Sequence, residues 1–99
     1  MKKIYICSPL RGDYEQNIEN AILYCREVIR EGHIPIAPHL YFTQFLDDTI
    51  PSEREIGLKY GLELVKLCDM VYVYGKPSEG MKAEIKLAKQ MGIEVVYRC

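Results

Sequence analysis

The sequence has 99 residues, which leaves room for one domain, residues 1–99, and excludes a multidomain enzyme. Hydrophobic residues make up 48% of the chain and charged residues 27%, a composition typical of a packed globular protein and not of a disordered or fibrous chain. The 13 Lys and Arg nearly balance the 14 Asp and Glu, and no run of basic residues is present, which argues against a nucleic acid as the main partner.

Four short apolar runs alternate with three helical patterns along the chain. This alternation indicates βαβ units and therefore a parallel sheet. The predicted fold class is α/β, a small doubly wound parallel sheet of the flavodoxin or Rossmann type with four strands and three main helices. The predicted strands run from Ile4 to Ser8, Ile34 to Ala37, Met70 to Tyr74 and Glu94 to Tyr97.

The first helix is predicted over about residues 14–31. Asp13 precedes it and Gln16 follows three residues later, which is the spacing of a capping box. A stripe of apolar residues at three- and four-residue steps is expected to face the core, and Gly32 is expected to end the helix. The stripe consists of Ile18, Ile22, Cys25 and Ile29.

The second helix is predicted from a segment with capping-box spacing, Pro51 to Glu55, as far as about Leu67. Gly57 and Gly61 lie four residues apart on one face of this helix. Glycine weakens a helix interior by about 1 kcal/mol relative to alanine, so this pair predicts a close approach to the helix backbone, most simply by another helix. The apolar stripe of the helix is Ile56, Tyr60, Leu64 and Leu67.

The third helix is predicted to follow Ser78, Glu79 and Gly80 and to end at Gly92. Its inward residues are expected to be Ala83, Leu87, Ala88 and Met91. One long connection, from Pro38 to Ser52, separates the second strand from the second helix. Loops of this length in a compact domain are usually functional or cover a site.

The sequence also allows predictions of the cellular location and of the oligomeric state. No apolar stretch reaches the ~18–20 residues that span a bilayer, and the amino-terminal apolar run is too short for a signal peptide, so we expect a cytoplasmic protein without a membrane partner. A chain this short buries only roughly two thirds of its unfolded surface, so we expect a homo-oligomer. The cysteines form no C-x-x-C pair and indicate neither a zinc site nor a disulfide framework. They are Cys7, Cys25, Cys68 and Cys99.

Ligands of an open parallel sheet bind beyond the carboxyl ends of the strands. This rule selects three polar or turn-rich segments, which are Ser8 to Gly12, Pro38 with His39, and Gly75 to Met81. The first segment offers a hydroxyl, the Arg11 guanidinium and a glycine, groups that suit an anion such as a phosphate or a carboxylate. It is neither a Walker loop nor a G-x-G-x-x-G motif, which argues against nucleoside triphosphate hydrolysis and tight dinucleotide binding.

The third segment places Ser78 and Gly80 at the entry of the third helix and Glu84 about one turn inside it. Near this end the helix dipole favours the anionic form of a carboxylate, which predicts an ionised and nucleophilic Glu84.

The same residues also have structural interpretations that the patterns leave open. Glu84 is equally compatible with simple compensation of the helix dipole, and Arg11 with a solvated turn. Asp69 stands at a helix-to-strand junction, where turn or cap chemistry is common. Tyr5 lies within the first strand and belongs by default to the core, although its hydroxyl then needs a partner. His39 fits the surface, the core or a ligand contact without preference.

Three motifs in sequence order resemble the nucleoside 2-deoxyribosyltransferase-like superfamily over nearly the whole chain. They run from Lys3 to Gly12, from Cys68 to Tyr74 and from Ser78 to Ile85. The first motif is also similar to that of the deoxynucleoside monophosphate N-hydrolases. The resemblance implies cleavage of the N-glycosidic bond of a 2'-deoxyribonucleoside or its 5'-monophosphate, with the sugar passed to another base or to water. The implied partner is a small-molecule nucleoside or nucleotide, and no metal or organic cofactor is implied.

The resemblance also assigns roles to individual residues. It implies that Glu84 is the nucleophile that attacks the anomeric carbon and that Tyr5 orients it. An oxocarbenium-like transition state requires a carboxylate at that carbon, which agrees with this assignment. The resemblance also implies that Ser78, and Ser8 with Arg11 and Gly12, hold the 5' end of the sugar or its phosphate. His39, Gly80 and Met81 are further candidates for substrate binding.

The sequence departs from the family pattern at one catalytic position. Eight residues before Asp69, where characterised members carry a second catalytic Asp that assists the leaving base, this chain has Gly61. Asp47, Asp48 and His39 are the candidates to replace that group. Characterised members also continue into a fifth strand or tail, and a neighbouring subunit completes their sites, which again implies a homo-oligomer.

Two further hypotheses belong to other functional classes. Gly61 in place of an acid favours a non-catalytic nucleotide-binding or sensing module that keeps the pocket. A flavodoxin-like or response-receiver module is disfavoured, because the segment Ser8 to Gly12 replaces the acidic cluster expected after the first strand.

Overall fold

Strands and helices alternate along the chain in the computed structural model, which describes residues 1–98. All predicted strands and helices are present, with ends that differ by one or two residues. The strands are β1 (Lys3–Cys7), β2 (Ile34–Ile36), β3 (Met70–Val73) and β4 (Glu94–Tyr97). The α-helices are α1 (Tyr14–Arg30), α2 (Pro51–Val65) and α3 (Glu79–Gln90). Two short 3-10 helices, Pro38–Leu40 and Phe42–Gln44, lie in the connection after β2.

The four strands form one parallel sheet in the order β2-β1-β3-β4. Ile4 of β1 pairs with Pro35 on one side and with Met70 on the other. The chain therefore winds from β1 first to one side of the sheet and then to the other, and the boundary between β1 and β3 is the switch point of the topology. The predicted α/β doubly wound fold is confirmed.

Alternate side chains of β1 enter two separate cores, because successive residues of a strand point to opposite faces. Ile4 and Ile6 pack with Val28 of α1 on one face. Tyr5 and Cys7 enter the core on the other face, which α2 and α3 cover. The default expectation of a buried Tyr5 is confirmed, since only 2% of this residue is exposed.

The inward faces of α1 and α2 differ from those predicted. In α1, Ala21 and Val28 are buried, and in α2 the buried residues are Gly61 and Val65. Cys25 and Leu64 of the predicted stripes pack partly against the cores. Most of the other predictions were wrong because they followed the largest apolar side chains, whereas these helices approach their neighbours through smaller ones. Helical periodicity alone does not separate two apolar stripes that differ by a rotation of about 100°. The residues predicted inward but found exposed are Ile22, Ile29, Ile56, Tyr60 and Leu67.

The inward face of α3 was predicted in part. Ala88 is buried as expected, and Leu87 packs partly against the same core. Met81 and Ile85, which were not on the predicted stripe, supply the rest of the buried face. The residues predicted inward but found exposed are Ala83 and Met91.

The starts of α1 and α2 are capped differently. The Asp13 side chain accepts a hydrogen bond from the Gln16 backbone N–H at 3.4 Å, as predicted. The capping box predicted at the start of α2 is wrong, because Pro51 is the first helical residue and Ile50 caps it without a side-chain bond. Proline suits this position since its missing N–H has no helical partner there. Glu53 instead accepts a hydrogen bond from the Asp47 backbone N–H at 2.9 Å and ties the preceding connection to α2.

Asp69 has the structural role that is common at a helix-to-strand junction. Its carboxylate accepts a hydrogen bond from the Lys3 backbone N–H at 2.8 Å and lies 3.8 Å from the Lys3 Nζ. The backbone N–H of Asp69 in turn donates to the Lys3 carbonyl. These contacts fix the start of β3 against β1, and the backbone bond lowers the pKa of Asp69.

Three thiols are free in the described part of the chain, those of Cys7, Cys25 and Cys68, while Cys99 lies outside the described residues. Within residues 1–98 no helix is long and apolar enough to cross a membrane. The homo-oligomer and the cytoplasmic location stay predictions.

Candidate active site

A cavity of about 460 Å³ opens at the carboxyl ends of β1 and β3. It lies at the switch point of the sheet, where doubly wound folds bind their ligands, and its volume is in the range of small-molecule sites. Each of the three segments selected from the sequence contributes to its wall, and α2 closes it through Gly57 and Gly61. The apolar part of the wall includes Phe42, Leu46 and Leu58.

Tyr5 and Glu84 meet in this cavity. The Tyr5 hydroxyl donates a hydrogen bond to Glu84 Oε2 at 2.5 Å. β1 holds Tyr5 with its side chain toward α3, and Glu84 lies in the second turn of α3, so the two elements bring the pair together. Burial, followed by the nearby Glu84 carboxylate, raises the pKa of Tyr5 well above its ordinary value, so this hydroxyl remains a donor.

Cys7 is a site residue that the sequence analysis did not identify. Its thiol donates to Glu84 Oε1 at 3.4 Å and lies 3.8 Å from the Met81 carbonyl oxygen. Each oxygen of the Glu84 carboxylate therefore has a donor from β1. Because strand residues two apart share a face, the pairing of Tyr5 with Glu84 carried the signal that would have found Cys7. Burial raises the pKa of the Cys7 thiol, and the neighbouring carboxylate raises it further, so the thiol is protonated.

The protonation of Glu84 is governed mainly by its surroundings in the cavity. Burial raises the pKa of this carboxyl, and the hydrogen bonds from Tyr5 and Cys7 oppose part of that increase. The net direction is opposite to the effect expected from the helix dipole, because withdrawal of a carboxylate from water disfavours its charged form. The Glu84 carboxyl is thus more basic than an exposed glutamate.

Gly61 packs directly against the Tyr5–Glu84 pair. A methyl group placed on Gly61 would lie 3.1 Å from Glu84 Oε2 and 3.2 Å from the Tyr5 hydroxyl oxygen. The predicted close approach to the α2 backbone is confirmed, but at Gly61 the approaching atoms belong to these two side chains and not to a helix backbone. At Gly57 the nearest atom is a side-chain methyl of Leu46 at 3.6 Å, which is ordinary contact.

Ser8 and His39 form a second polar pair in the cavity wall. Ser8 Oγ and His39 Nε2 are 3.0 Å apart. Burial lowers the pKa of His39 to about 4, so its imidazole is neutral near pH 7. The ring therefore lies in the cavity wall as a neutral hydrogen-bonding group and not as a cation.

The cavity mouth carries two arginines that share one carboxylate. Arg11 Nε lies 3.2 Å from one oxygen of Asp48, and Arg54 Nε lies 3.9 Å from the other. Arg54 was not among the predicted site residues. Its position in the first turn of a helix that follows a long, polar connection was the available signal. Both guanidiniums line the cavity and provide positive charge at its mouth.

The candidates for a second acid are placed apart from Glu84 or are engaged elsewhere. Asp47 does not line this cavity, and its carboxylate accepts two hydrogen bonds from Thr49. Asp48 is held by the two arginines, and His39 is neutral. Gly12 also lies outside the cavity wall, at a turn with a positive φ of 97°.

The entry of α3 brings three predicted site residues to the cavity. Ser78 Oγ accepts a hydrogen bond from the Met81 backbone N–H at 3.4 Å and so caps the helix. Met81 is buried, and its sulfur lies 3.5 Å from the Ser78 backbone nitrogen. Gly80 passes close to α2, because a methyl group there would lie 3.0 Å from Leu58. Ser78 thus has a structural role in addition to its exposure to the cavity.

Comparison with known proteins adds a family and a fold. A family model described as a domain of unknown function, DUF7768, matches residues 2–98. No curated protein matches the chain. A solved 2-deoxyribosyltransferase from the psychrotolerant bacterium Bacillus psychrosaccharolyticus is 20% identical over 96% of this chain and 70% of that chain, with a TM-score of 0.72.

A solved 2-deoxyribosyltransferase from Leishmania mexicana is 16% identical, with a TM-score of 0.66. The match covers 98% of this chain but 63% of that protein. At such identities the two likenesses show a shared fold. They confirm the fold that the sequence motifs implied.

Proposed function

This chain belongs to the DUF7768 family, and we propose that it cleaves the N-glycosidic bond of a 2'-deoxyribonucleoside or of its 5'-monophosphate. Glu84 is the nucleophile, and its attack on the anomeric carbon forms a glycosyl-enzyme intermediate. Water or a second base then takes the sugar. Tyr5 orients the Glu84 carboxylate throughout.

The hydrogen bond between Tyr5 and Glu84 is the observation that carries this proposal. A reaction through an oxocarbenium-like transition state needs a carboxylate held in one orientation beside the anomeric carbon. Donors on both carboxylate oxygens fix the Glu84 side chain without a competing cation. Burial makes the carboxylate more basic than an exposed one, which favours a nucleophile.

Substrate binding is assigned to the rest of the cavity. Ser8, Arg11 and Ser78 hold the 5' end of the sugar or its phosphate, and Arg54 adds a second guanidinium at the mouth. Guanidinium groups suit phosphate oxygens because they offer several donors together with a charge. The apolar wall of Phe42, Leu46 and Leu58 offers contact area for a planar base.

The two solved proteins that share the fold are described as 2-deoxyribosyltransferases. Their names support deoxyribose as the sugar in our proposal. The location of the cavity at the switch point of the same fold supports it as the place of reaction.

The test is incubation of the pure protein with the four 2'-deoxyribonucleosides and their 5'-monophosphates, followed by chromatography for free base. Glu84→Gln is the matched control, because it keeps the size of the side chain and removes the nucleophilic carboxylate. We expect base release from the wild type alone, together with a deoxyribosyl adduct on the wild-type chain in intact-mass spectra. Thermal stabilisation by a nucleotide without any release would instead identify a binding module and overturn the proposal.

A further inference from the structure

Among residues 1–98, the end of the cavity that holds Glu84, the proposed nucleophile, has no side chain placed to protonate a leaving base. When an N-glycosidic bond breaks, its electron pair remains on the base. A neutral base must then receive a proton or leave as an anion, and an acid that supplies this proton contributes about 10²–10⁴-fold in rate. A base that carries a positive charge leaves as a neutral molecule and needs no proton.

The proton-bearing groups nearest to Glu84 are already committed to other partners. Tyr5 and Cys7 point their protons at the Glu84 carboxylate itself. Ser8 and His39 share one hydrogen bond, and the proton that this bond leaves over belongs to a hydroxyl or to a neutral imidazole, both very weak acids near pH 7. If Tyr5 or Cys7 gave its proton to the base, the Glu84 carboxylate would lose a hydrogen bond that orients it for attack.

The α2 side of the Glu84 carboxylate offers only backbone. Gly61 is the residue of α2 that meets Glu84 Oε2, and the space beside it has no room for even a methyl group without displacement of its neighbours. One and two turns toward the start of the helix stand Gly57 and Arg54, neither of which is an acid. Among the described residues of α2 that line the cavity only Glu53 is an acid, and it stands eight residues before Gly61, about 12 Å away along the helix axis.

The other carboxylates of the cavity wall act as acceptors or counter-ions. Asp48 faces Arg11 and Arg54, and Glu53 accepts the hydrogen bond from the Asp47 backbone. Glu79 is exposed and pairs with Lys82 at 3.6 Å. These contacts engage the three carboxyl groups as acceptors or ion-pair partners, and within residues 1–98 none of the three is hydrogen-bonded to Glu84.

The charge of the cavity favours a cation at the reacting end. Within residues 1–98 the two guanidiniums of the wall, Arg11 and Arg54, both contact Asp48. The Glu84 carboxylate is contacted by the neutral donors Tyr5 and Cys7. Arg54 and Gly61 are seven residues apart on α2, which separates them by about 10 Å along the helix axis. The positive groups therefore mark the mouth, and the Glu84 end carries uncompensated negative charge.

From this arrangement we propose that the substrate carries a cationic base, such as an N7-alkylated purine or a pyridinium ring, at the bond that Glu84 attacks. The inference rests on the proposed function and narrows its substrate class. The Phe42 ring in the cavity wall adds an aromatic group of the kind that attracts planar cations.

The reaction balances without an acid. A Glu84 oxygen forms a bond to C1', the C1'–N bond breaks, and its electron pair neutralises the positive ring, so the base departs uncharged. Water then forms a bond to C1' and the bond to Glu84 breaks, which restores the carboxylate. The spare proton of the water enters the solvent. Each hydrolytic turnover of a cationic substrate therefore releases one proton, whereas release of a neutral base from a neutral substrate yields none.

The test compares two substrates of nearly equal shape, N7-methyl-2'-deoxyguanosine 5'-monophosphate and 2'-deoxyguanosine 5'-monophosphate. The two nucleosides without phosphate form a second pair. Free base is measured by chromatography, and proton release with a pH-stat near pH 6, where the N7-methylated ring keeps its N1 proton and is cationic. Because the methylated compound also loses its base spontaneously, each enzymatic rate is divided by the rate in buffer, and Glu84→Gln serves as the blank. Circular dichroism verifies that this variant is folded.

We expect the rate enhancement over buffer to be at least about 100-fold larger for the cationic member of each pair, the lower end of the contribution of a general acid. We also expect the rate enhancement to be lost in Glu84→Gln. One proton should be released for each base cleaved from the cationic substrate. Enhancements within 10-fold of each other, with both dependent on Glu84, overturn the cationic substrate and leave the proposed function standing. Cleavage of the neutral substrate alone would also overturn the cationic substrate and leave the proposed function standing. Absence of cleavage in both pairs overturns the inference and the proposed function together.

Discussion

The Tyr5 hydroxyl and the Glu84 carboxylate are 79 positions apart in the sequence and form a hydrogen bond of 2.5 Å. Tyr5 comes from the middle of β1, and Glu84 comes from the second turn of α3. The pair is therefore a product of the parallel sheet, which places the two elements side by side through β3. The hydrogen-bonded pair lies where the core on the α2–α3 face meets the cavity at the strand ends.

Tyr5→Phe removes one donor from the Glu84 carboxylate and leaves the ring in the core. Because a hydrogen bond to a charged group contributes about 1.5–3 kcal/mol, we expect kcat/KM at pH 7 to fall about 10- to 100-fold. The Tyr5 hydrogen bond lowers the pKa of Glu84, so its loss raises that pKa further. The acid limb of the pH–rate profile then moves to higher pH, and activity recovers partly in alkaline buffer. A uniform loss at every pH would contradict this role for Tyr5.

Gly61→Ala and Gly57→Ala are a matched pair of substitutions on one helix face. Each exchange adds about 0.5–1 kcal/mol of helix stability by itself. At Gly57 the new methyl group meets Leu46 at an ordinary distance, so we expect the free energy of unfolding to increase by that amount. At Gly61 it meets Glu84 and Tyr5 at 3.1 and 3.2 Å, which requires those side chains to move.

We therefore expect no net gain in stability for Gly61→Ala and at least a 10-fold loss of activity. Urea denaturation of both variants, together with the base-release assay, provides the measurement. Equal stabilisation by the two exchanges would show that the space beside Gly61 is larger than the contacts indicate.

The sequence predicted the α/β class, the strand and helix order and the segments around the cavity, because alternation of apolar runs and turn chemistry are local signals. Which helix face turns inward was harder to predict. Val28 of α1 competed with Ile29, and Gly61 of α2 with Tyr60, and only the packed sheet decides between such neighbours. Cys7 was missed for a related reason, since its role depends on Glu84, 77 positions away in the sequence. The partner of Arg54, Asp48, is only six residues away, so the signal for Arg54 was local and was overlooked.

Asp48→Asn removes the carboxylate that neutralises Arg11 and Arg54 at the cavity mouth. These ion pairs are partly exposed, so we expect the free energy of unfolding to change by less than about 1 kcal/mol. The two guanidiniums gain positive potential, and we expect the Kd for a 5'-monophosphate to fall about fivefold at low salt. The Kd for the matching nucleoside without phosphate should stay unchanged. Isothermal titration of Glu84→Gln and of the double variant with both ligands measures the difference without turnover. Equal changes for the two ligands would contradict the assignment of the mouth to the phosphate.

The low pKa of His39 predicts how stability depends on pH. The imidazole titrates at about 4 in the folded chain and near 6.5 in the unfolded chain. Between these values the unfolded state binds the extra proton, so the His39 contribution to stability is complete above pH 6.5 and is lost as the pH falls through 4. The full effect is about 3 kcal/mol.

Glu84 acts in the opposite direction, because a raised carboxyl pKa contributes stability that is lost as the pH rises. The comparison of wild type with His39→Gln isolates the imidazole, since the amide keeps a hydrogen-bonding group near Ser8 and does not titrate. We expect the free energy of unfolding between pH 7 and pH 4.5 to fall more steeply in the wild type than in His39→Gln. Parallel curves would mean that His39 is protonated as easily in the folded chain as in water, and its place as a neutral group in the cavity wall would be wrong.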